Sequence, residues 1–309
     1  MSGLLDGPRA RGAFVLRAVL SPPWSLRVQD EAPLAVCAMV RGDAWVISDR
    51  DAPVRLGPGD VAIIRGPDPY TVADDPSTST QVVIHPGQRC TTPEGVDLAQ
   101  AMDLGVRTWG NDPDGETMMV TGIYQLPGEI SGWIIGALPA IVVVRHHSWD
   151  TRLIPLLREE VGRDEPGQEA VLDRLLDLLL IATLRAWFSR PEAATPAWYR
   201  AHSDLVVGRA LRTLQNNPAH PWTLAGLASE THISRASLAR RFKRLVGEPP
   251  MTYLTRWRLS LAADLLRESD STIAEIARQV GYGSPFALST AFKRVHGVSP
   301  HRYRTAAAS

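Results

Sequence analysis

The sequence is short of the features that would place it outside the cell or in a membrane. Its 309 residues include two cysteines, Cys37 and Cys90, too few for a scaffold stapled by disulfides. No apolar run reaches the ~18–20 residues of a membrane span. The longest uncharged stretch, residues 130–144, is interrupted by Gly132, Gly136 and Pro139. The first twenty residues scatter Asp6, Arg9, Arg11 and Arg17 among short apolar pieces, which is not the continuous core of a secretion signal. Net charge is missing as well, 33 basic residues standing against 33 acidic. The expectation is a soluble, cytoplasmic chain with no membrane partner.

The zero net charge hides a division. Residues 203–309 hold 15 basic and 7 acidic residues, whereas residues 1–202 hold 18 basic and 26 acidic. A basic final third is an electrostatic footprint for polyanions. With 44% hydrophobic residues and roughly 100–200 residues per domain, two cores are expected.

The amino-terminal part reads as strands. Val-, Ile- and Trp-rich runs at 35–40, 44–48, 61–64, 81–84 and 118–124 are cut by turn clusters such as Gly57-Pro58-Gly59-Asp60. Short strands at that spacing predict an all-β barrel or sandwich, with loops over 74–80 and 91–113. Helical spacing begins after Ser148, and Leu172, Leu175, Leu176 and Leu179 form one broad apolar stripe. That stripe either packs on its own barrel or forms a homodimer seam. The expected boundaries are a barrel over 1–147, a helical dimerisation segment over 148–190, a linker over 191–202 and an all-α domain over 203–309.

The last part contains an internal repeat. Phe242-Lys-Arg, Gly247, Pro250 and Tyr253 return fifty residues later as Phe292-Lys-Arg, Gly297, Pro300 and Tyr303, and Leu224, Leu227 and Ala228 return as Ile273, Ile276 and Ala277. Each copy reads as a short helix, a tight turn and a second helix with a basic end. Thr223 and Ser234 are placed to cap helices in the first copy. Leu238, Phe242 and Leu245 are expected to face inward there, as are Leu288, Phe292 and Val295 in the second. A plain helical bundle with solvated basic faces is the alternative. Two tandem copies on a basic segment favour helix-turn-helix units that place their second helices in the major groove of double-stranded DNA. The expected contacts are Arg235, Ala236, Ser237, Arg240, Arg241, Lys243 and Arg244 in the first unit. In the second they are Ala287, Ser289, Thr290, Lys293 and Arg294.

Residues 205–304 resemble the DNA-binding domain of the AraC/XylS family of bacterial transcription regulators. The resemblance is carried by Trp222-Thr-Leu-x-x-Leu-Ala228, Ser234-Arg-x-x-Leu-x-Arg-x-Phe-Lys243, Gly247-x-x-Pro-x-x-Tyr-Leu254, Arg258-Leu-x-x-Ala-x-x-Leu-Leu266, Ile273-x-x-Ile-Ala277, Gly281-Tyr282, Phe292-Lys-Arg-x-x-Gly297 and Ser299-Pro-x-x-Tyr-Arg304. It implies two helix-turn-helix units joined by a long helix, about residues 251–267, with the recognition helices one DNA turn apart. Thr290 stands where relatives often carry Arg, so a weaker base reading is expected there. The stretch from Val54 to Gly66, followed by the helices at 151–188, resembles the cupin-like effector and dimerisation domains of such regulators. The fold class implied is multidomain: an amino-terminal all-β cupin-like barrel with flanking helices and a carboxy-terminal all-α domain with two helix-turn-helix motifs.

The resemblance implies a dimeric, sequence-specific regulator with no catalytic role for any residue. It responds to a small-molecule or chemical effector and is more often an activator than a repressor, with RNA polymerase as a further partner. Trp24, Trp45, Tyr70, His85 and Tyr124 are the expected pocket residues, chosen because aromatic and amphipathic side chains favour pockets. Two alternatives concern the barrel. Cys37 and Cys90 form a redox switch if the nearby Arg41 and Arg89 favour thiolates. A cupin metalloenzyme needs a ligand cluster, yet residues 35–48 lack His and Tyr70 sits where the resemblance places a downstream ligand. His85, His146 and His147 have no ligand spacing, so no metal or other cofactor is expected.

Overall fold

The computed structural model describes residues 14–124, 129–190 and 197–307. They fall into two compact units, one of residues 9–126 and 138–193, the other of residues 127–137 and 194–309. The division departs from the expected boundaries at three places. The helices after residue 148 share a unit with the barrel instead of standing apart. Residues 129–137, from late in the expected barrel sequence, cluster with the helical unit. Ala197–Ala201 of the expected linker are helical, while residues 191–196 lie outside the described residues.

The first unit is built from twelve strands: β1 (Phe14–Leu20), β2 (Ser25–Val28), β3 (Leu34–Arg41), β4 (Ala44–Ser48), β5 (Val54–Leu56), β6 (Val61–Arg65), β7 (Tyr70–Ala73), β8 (Val82–Ile84), β9 (Cys90–Thr91), β10 (Thr108–Gly110), β11 (Thr117–Tyr124) and β12 (Ile141–Val144). They form two six-stranded sheets, ordered β10-β1-β11-β3-β6-β12 and β5-β4-β7-β2-β8-β9. Inward side chains of both sheets, among them Ala18, Leu26, Cys37, Val46, Ile64, Val72 and Met119, form one core. β3 is buried from Leu34 to Met39 because it is central and covered on both faces, which is why it reads as a continuous apolar run rather than an alternation. A buried carboxylate pins one end of the barrel. Asp60 accepts hydrogen bonds from the Gly57 and His146 amides and from Arg145.

Two helices, α2 (Leu153–Val161) and α3 (Gln168–Phe188), pack against each other and onto the outer side of the first sheet. Gly122 permits the approach: a Cβ there would lie 2.6 Å from Leu176 Cδ2. The Tyr124 hydroxyl donates to the Leu176 carbonyl at 2.9 Å. Leu172, Leu176 and Leu179 are therefore buried within their own unit, and the expectation that they form a dimer seam is corrected. Leu175 is half-buried, while Val171, Leu178 and Leu156 are exposed large apolar residues of this pair.

The helical unit comprises α1 (Glu129–Ile135), α4 (Ala197–Ala201), α5 (Leu205–Asn216), α6 (Leu224–Glu230), α7 (Arg235–Val246), α8 (Pro250–Glu268), α9 (Ile273–Val280), α10 (Pro285–His296) and α11 (Pro300–Ala307). The nineteen residues of α8, about 28 Å at the helical rise, serve two cores. Tyr253, Leu254 and Trp257 join a cluster with α5, α6 and α7, whereas Leu259, Ala262, Ala263 and Leu266 join one with α9 and α10. α1 lies along α8. Trp133 sits edge-on to Tyr253 and Trp257, with the Arg256 guanidinium over its ring. Glu129 takes the Tyr303 hydroxyl proton bond at 3.1 Å.

Candidate nucleic-acid interface

Each repeat is a pair of capped helices. In the first, the Thr223 and Ser234 hydroxyls accept the Gly226 and Ser237 amides at the starts of α6 and α7. In the second, Thr272 and Glu275 exchange bonds as a capping box on α9, and Ser284 accepts the Ala287 amide on α10. Left-handed Gly247 and Gly297 end α7 and α10. The caps satisfy end amides of helices as short as seven residues, which packing into the cores then holds in place.

Leu238 and Phe242 on α7, and Leu288 and Phe292 on α10, are fully buried. Their spacing leaves the opposite faces to solvent. Arg235, Ala236, Arg240, Lys243 and Arg244 are exposed on α7, as are Ala287, Thr290, Lys293 and Arg294 on α10. Ser237 and Ser289 are half-buried, and the Ser237 hydroxyl is bonded to the Ser234 cap.

Two expectations about these helices are corrected. Arg241 is held by the Asp204 carboxylate through Nε at 3.0 Å and Nη2 at 2.7 Å, so its fork is engaged in tying α7 to the start of α5 although the side chain stays 42% exposed. Burial works to raise the Asp204 carboxyl, yet the Val207 and Val206 amides and Arg241 outweigh it and hold the carboxyl below its ordinary value. Val295 is 56% exposed. His296, four residues on from Phe292, takes the inward place instead, stacked on it at 4.1 Å. Leu245 is half-buried.

The sequence reading missed Phe286, which is 81% exposed at the start of α10. It precedes buried Leu288 by two residues, about 200° round the helix. That spacing was the available signal.

Within the barrel, a largely apolar cavity of about 190 Å³ lies between the sheets. Of the expected pocket residues, Tyr70 lines it. Trp45 is turned outward by strand alternation between buried Ala44 and Val46. The His85 ring is engaged by Gln29 and Thr91, and Tyr124 is committed to α3. Trp24 borders a separate surface cleft with Gln81 and Asn111.

Cys37 and Cys90 both line the cavity, but the expected thiolate activation is contradicted. Burial pushes the Cys37 thiol up to about 12, and burial with the Asp97 charge also raises Cys90. Arg41, four residues and about 13 Å along the strand from Cys37, donates to the Gly115 carbonyl. Arg89 is exposed.

Comparison with known proteins agrees with this architecture. A cupin family model matches residues 1–189, and a helix-turn-helix domain model matches residues 227–306. A putative AraC-like transcription regulator of Streptomyces lividans is 33% identical over 91% of this chain and 90% of its own length. One from Streptomyces antibioticus is 34% identical over the same shares. Among solved structures, the DNA-binding domain of AdpA in complex with a target DNA matches 34% of this chain and 93% of that chain, at 34% identity and a TM-score of 0.32. A cupin domain followed by two capped helix-turn-helix units, shared along nearly the whole length with such relatives, places the chain in the AraC family of DNA-binding transcription regulators.

Proposed function

We propose that this regulator is a sequence-specific, cytoplasmic activator that works as a dimer and responds to an effector entering the barrel. The observation that carries the DNA reading is the pair of second helices with matched exposed faces on the basic half of the chain. The reading assigns base contacts to Arg235, Ala236 and Arg240 on α7, and to Phe286, Ala287 and Thr290 on α10. Lys243, Arg244, Lys293 and Arg294 neutralise phosphates. The dimer surface is reassigned to the exposed Val171 and Leu178 and half-buried Leu175 on α3, with exposed Leu156 on α2.

Genome-wide mapping of bound sites followed by footprinting tests the DNA reading. Two protected major grooves about 10 base pairs apart are expected. Protection of a single groove would leave the second unit without a reading role. Replacing Val171 and Leu178 with Glu, both already exposed, is expected to give monomers in sedimentation without loss of fold. An unchanged oligomer would place the seam elsewhere, and a monomeric native chain would end the dimer reading. Transcription from a mapped promoter with purified RNA polymerase separates activation from repression.

A further inference from the structure

Among the described residues, the wall of the barrel cavity includes no Asp, Glu, Lys, Arg or His. Its surface is made by apolar side chains of both sheets, and the polar groups it offers are few. Tyr70 is one, and burial keeps its phenol protonated, a donor rather than a charge. Gln88 and Ala99 lie where the wall meets solvent. A charged ligand would lose its hydration here without gaining a counter-ion. A sugar would leave several hydroxyls unpaired.

Size narrows the class further. An apolar cavity of about 150 Å³ holds benzene, and this one measures about 190 Å³. The volume suits a single ring with a small substituent. Trp109 supplies the second, independent observation. Its side chain is 7% exposed and forms part of the wall. Its indole N–H has no acceptor among the described residues. A buried donor left unpaired is costly, and a ligand acceptor would relieve that cost.

We propose that the cavity binds a compact, uncharged molecule of about one ring, bearing a single hydrogen-bond acceptor such as a carbonyl that takes the Trp109 N–H. The binding claim stands on the cavity alone. Only its consequence for DNA rests on the reading of the barrel as a sensor.

Calorimetric titration of the full chain with acetophenone, ethylbenzene, benzoate and glucose tests it. Acetophenone is expected to saturate one site and raise Tm, with ethylbenzene about tenfold weaker for want of the acceptor and benzoate and glucose silent. Trp109→Phe should bring acetophenone down to the ethylbenzene level while leaving ethylbenzene unchanged. That second probe shows that the variant still folds around the cavity. Failure of acetophenone to bind the native chain, or binding of benzoate or glucose in its place, overturns the ligand class. Equal binding of acetophenone and ethylbenzene overturns the acceptor assignment. If acetophenone binds and operator affinity stays the same, the ligand class holds and the sensor reading of the barrel fails for it.

Discussion

The two helix-turn-helix units share their scaffold and differ in what they present. Both bury a Leu and a Phe four residues apart, both cap their second helix with Ser, and both end it with Lys-Arg and a left-handed Gly. At the exposed positions the first offers Arg235, Ala236 and Arg240, the second Pro285, Phe286 and Thr290. The first set is suited to bidentate hydrogen bonds with guanine; the second is suited to van der Waals contact with thymine methyl groups. The positions that fold the unit are alike in the two copies, and the exposed positions at the start of the second helix differ. On the proposed reading, the second unit would then be a different reader rather than a poorer copy with Thr290 in place of Arg.

The turns also differ, and there the largest effect is expected. The first turn holds His232 at φ +57, exposed, while the second holds Gly281 at φ +88. A Cβ on Gly281 would lie 2.7 Å from the Pro218 carbonyl oxygen and 2.8 Å from Ala219 Cα. Both are backbone, and the same Pro218 carbonyl accepts from Arg258, so neither can retreat freely. Gly281→Ala should cost about 2–4 kcal/mol, combining left-handed strain with the clash. His232→Gly should be neutral or stabilising by about 1 kcal/mol. Urea melts read both. A Gly281→Ala variant as stable as the native chain would mean that the second turn is not seated on the 218–219 backbone.

Next in size is the base contact of the first unit. Arg240→Ala should weaken operator binding by about 1–3 kcal/mol and relax preference at one base pair, whereas Thr290→Ala should cost less than about 0.5 kcal/mol. Titrations on the operator and its single-base variants measure both. If Arg240→Ala weakens random DNA as much as operator, Arg240 touches phosphate and the orientation assigned to α7 is wrong.

What was legible in the sequence was local. The repeat, its caps and its inward Leu and Phe pairs obey short-range spacing, and all of them appear in the structure where the spacing puts them. What was not legible depends on partners far along the chain. Arg241 is lost to Asp204, thirty-seven residues away. The α3 leucines are covered by β11 through Gly122 and Tyr124. The cavity is walled by strands from both sheets, so aromatic character alone selected Tyr70, which lines it, along with four residues that do not. Phe286 and Trp45 belong to neither group: helical and strand alternation both point them outward, and their apolar character obscured that signal.

A methyl-reading Phe286 sharpens the comparison at single-atom scale. Phe286→Ala should cost about 1 kcal/mol on the operator. Deoxyuridine in place of thymidine in the half-site of α10 removes the methyl and should weaken the native chain by a similar amount while leaving Phe286→Ala unaffected. The same replacement in the half-site of α7 should do nothing. Equal sensitivity of native and variant chains to deoxyuridine would remove Phe286 from the methyl contact.

The smallest contrast is expected where the units are alike. Lys243 and Lys293 occupy the same turn of their helices, and both are exposed. A phosphate contact releases condensed counterions whatever the base sequence, so each lysine should contribute about 0.9 to the slope of log K against log salt. Lys243→Ala and Lys293→Ala should each lower that slope by about one unit and weaken operator and random DNA alike. Arg240→Ala, as a base contact, should leave the slope much nearer the native value. Binding titrations from about 50 to 200 mM salt resolve changes of this size. A slope lowered by Lys243→Ala and left unchanged by Lys293→Ala would show that only α7 lies fully in its groove, and the two units would then differ in docking as well as in reading.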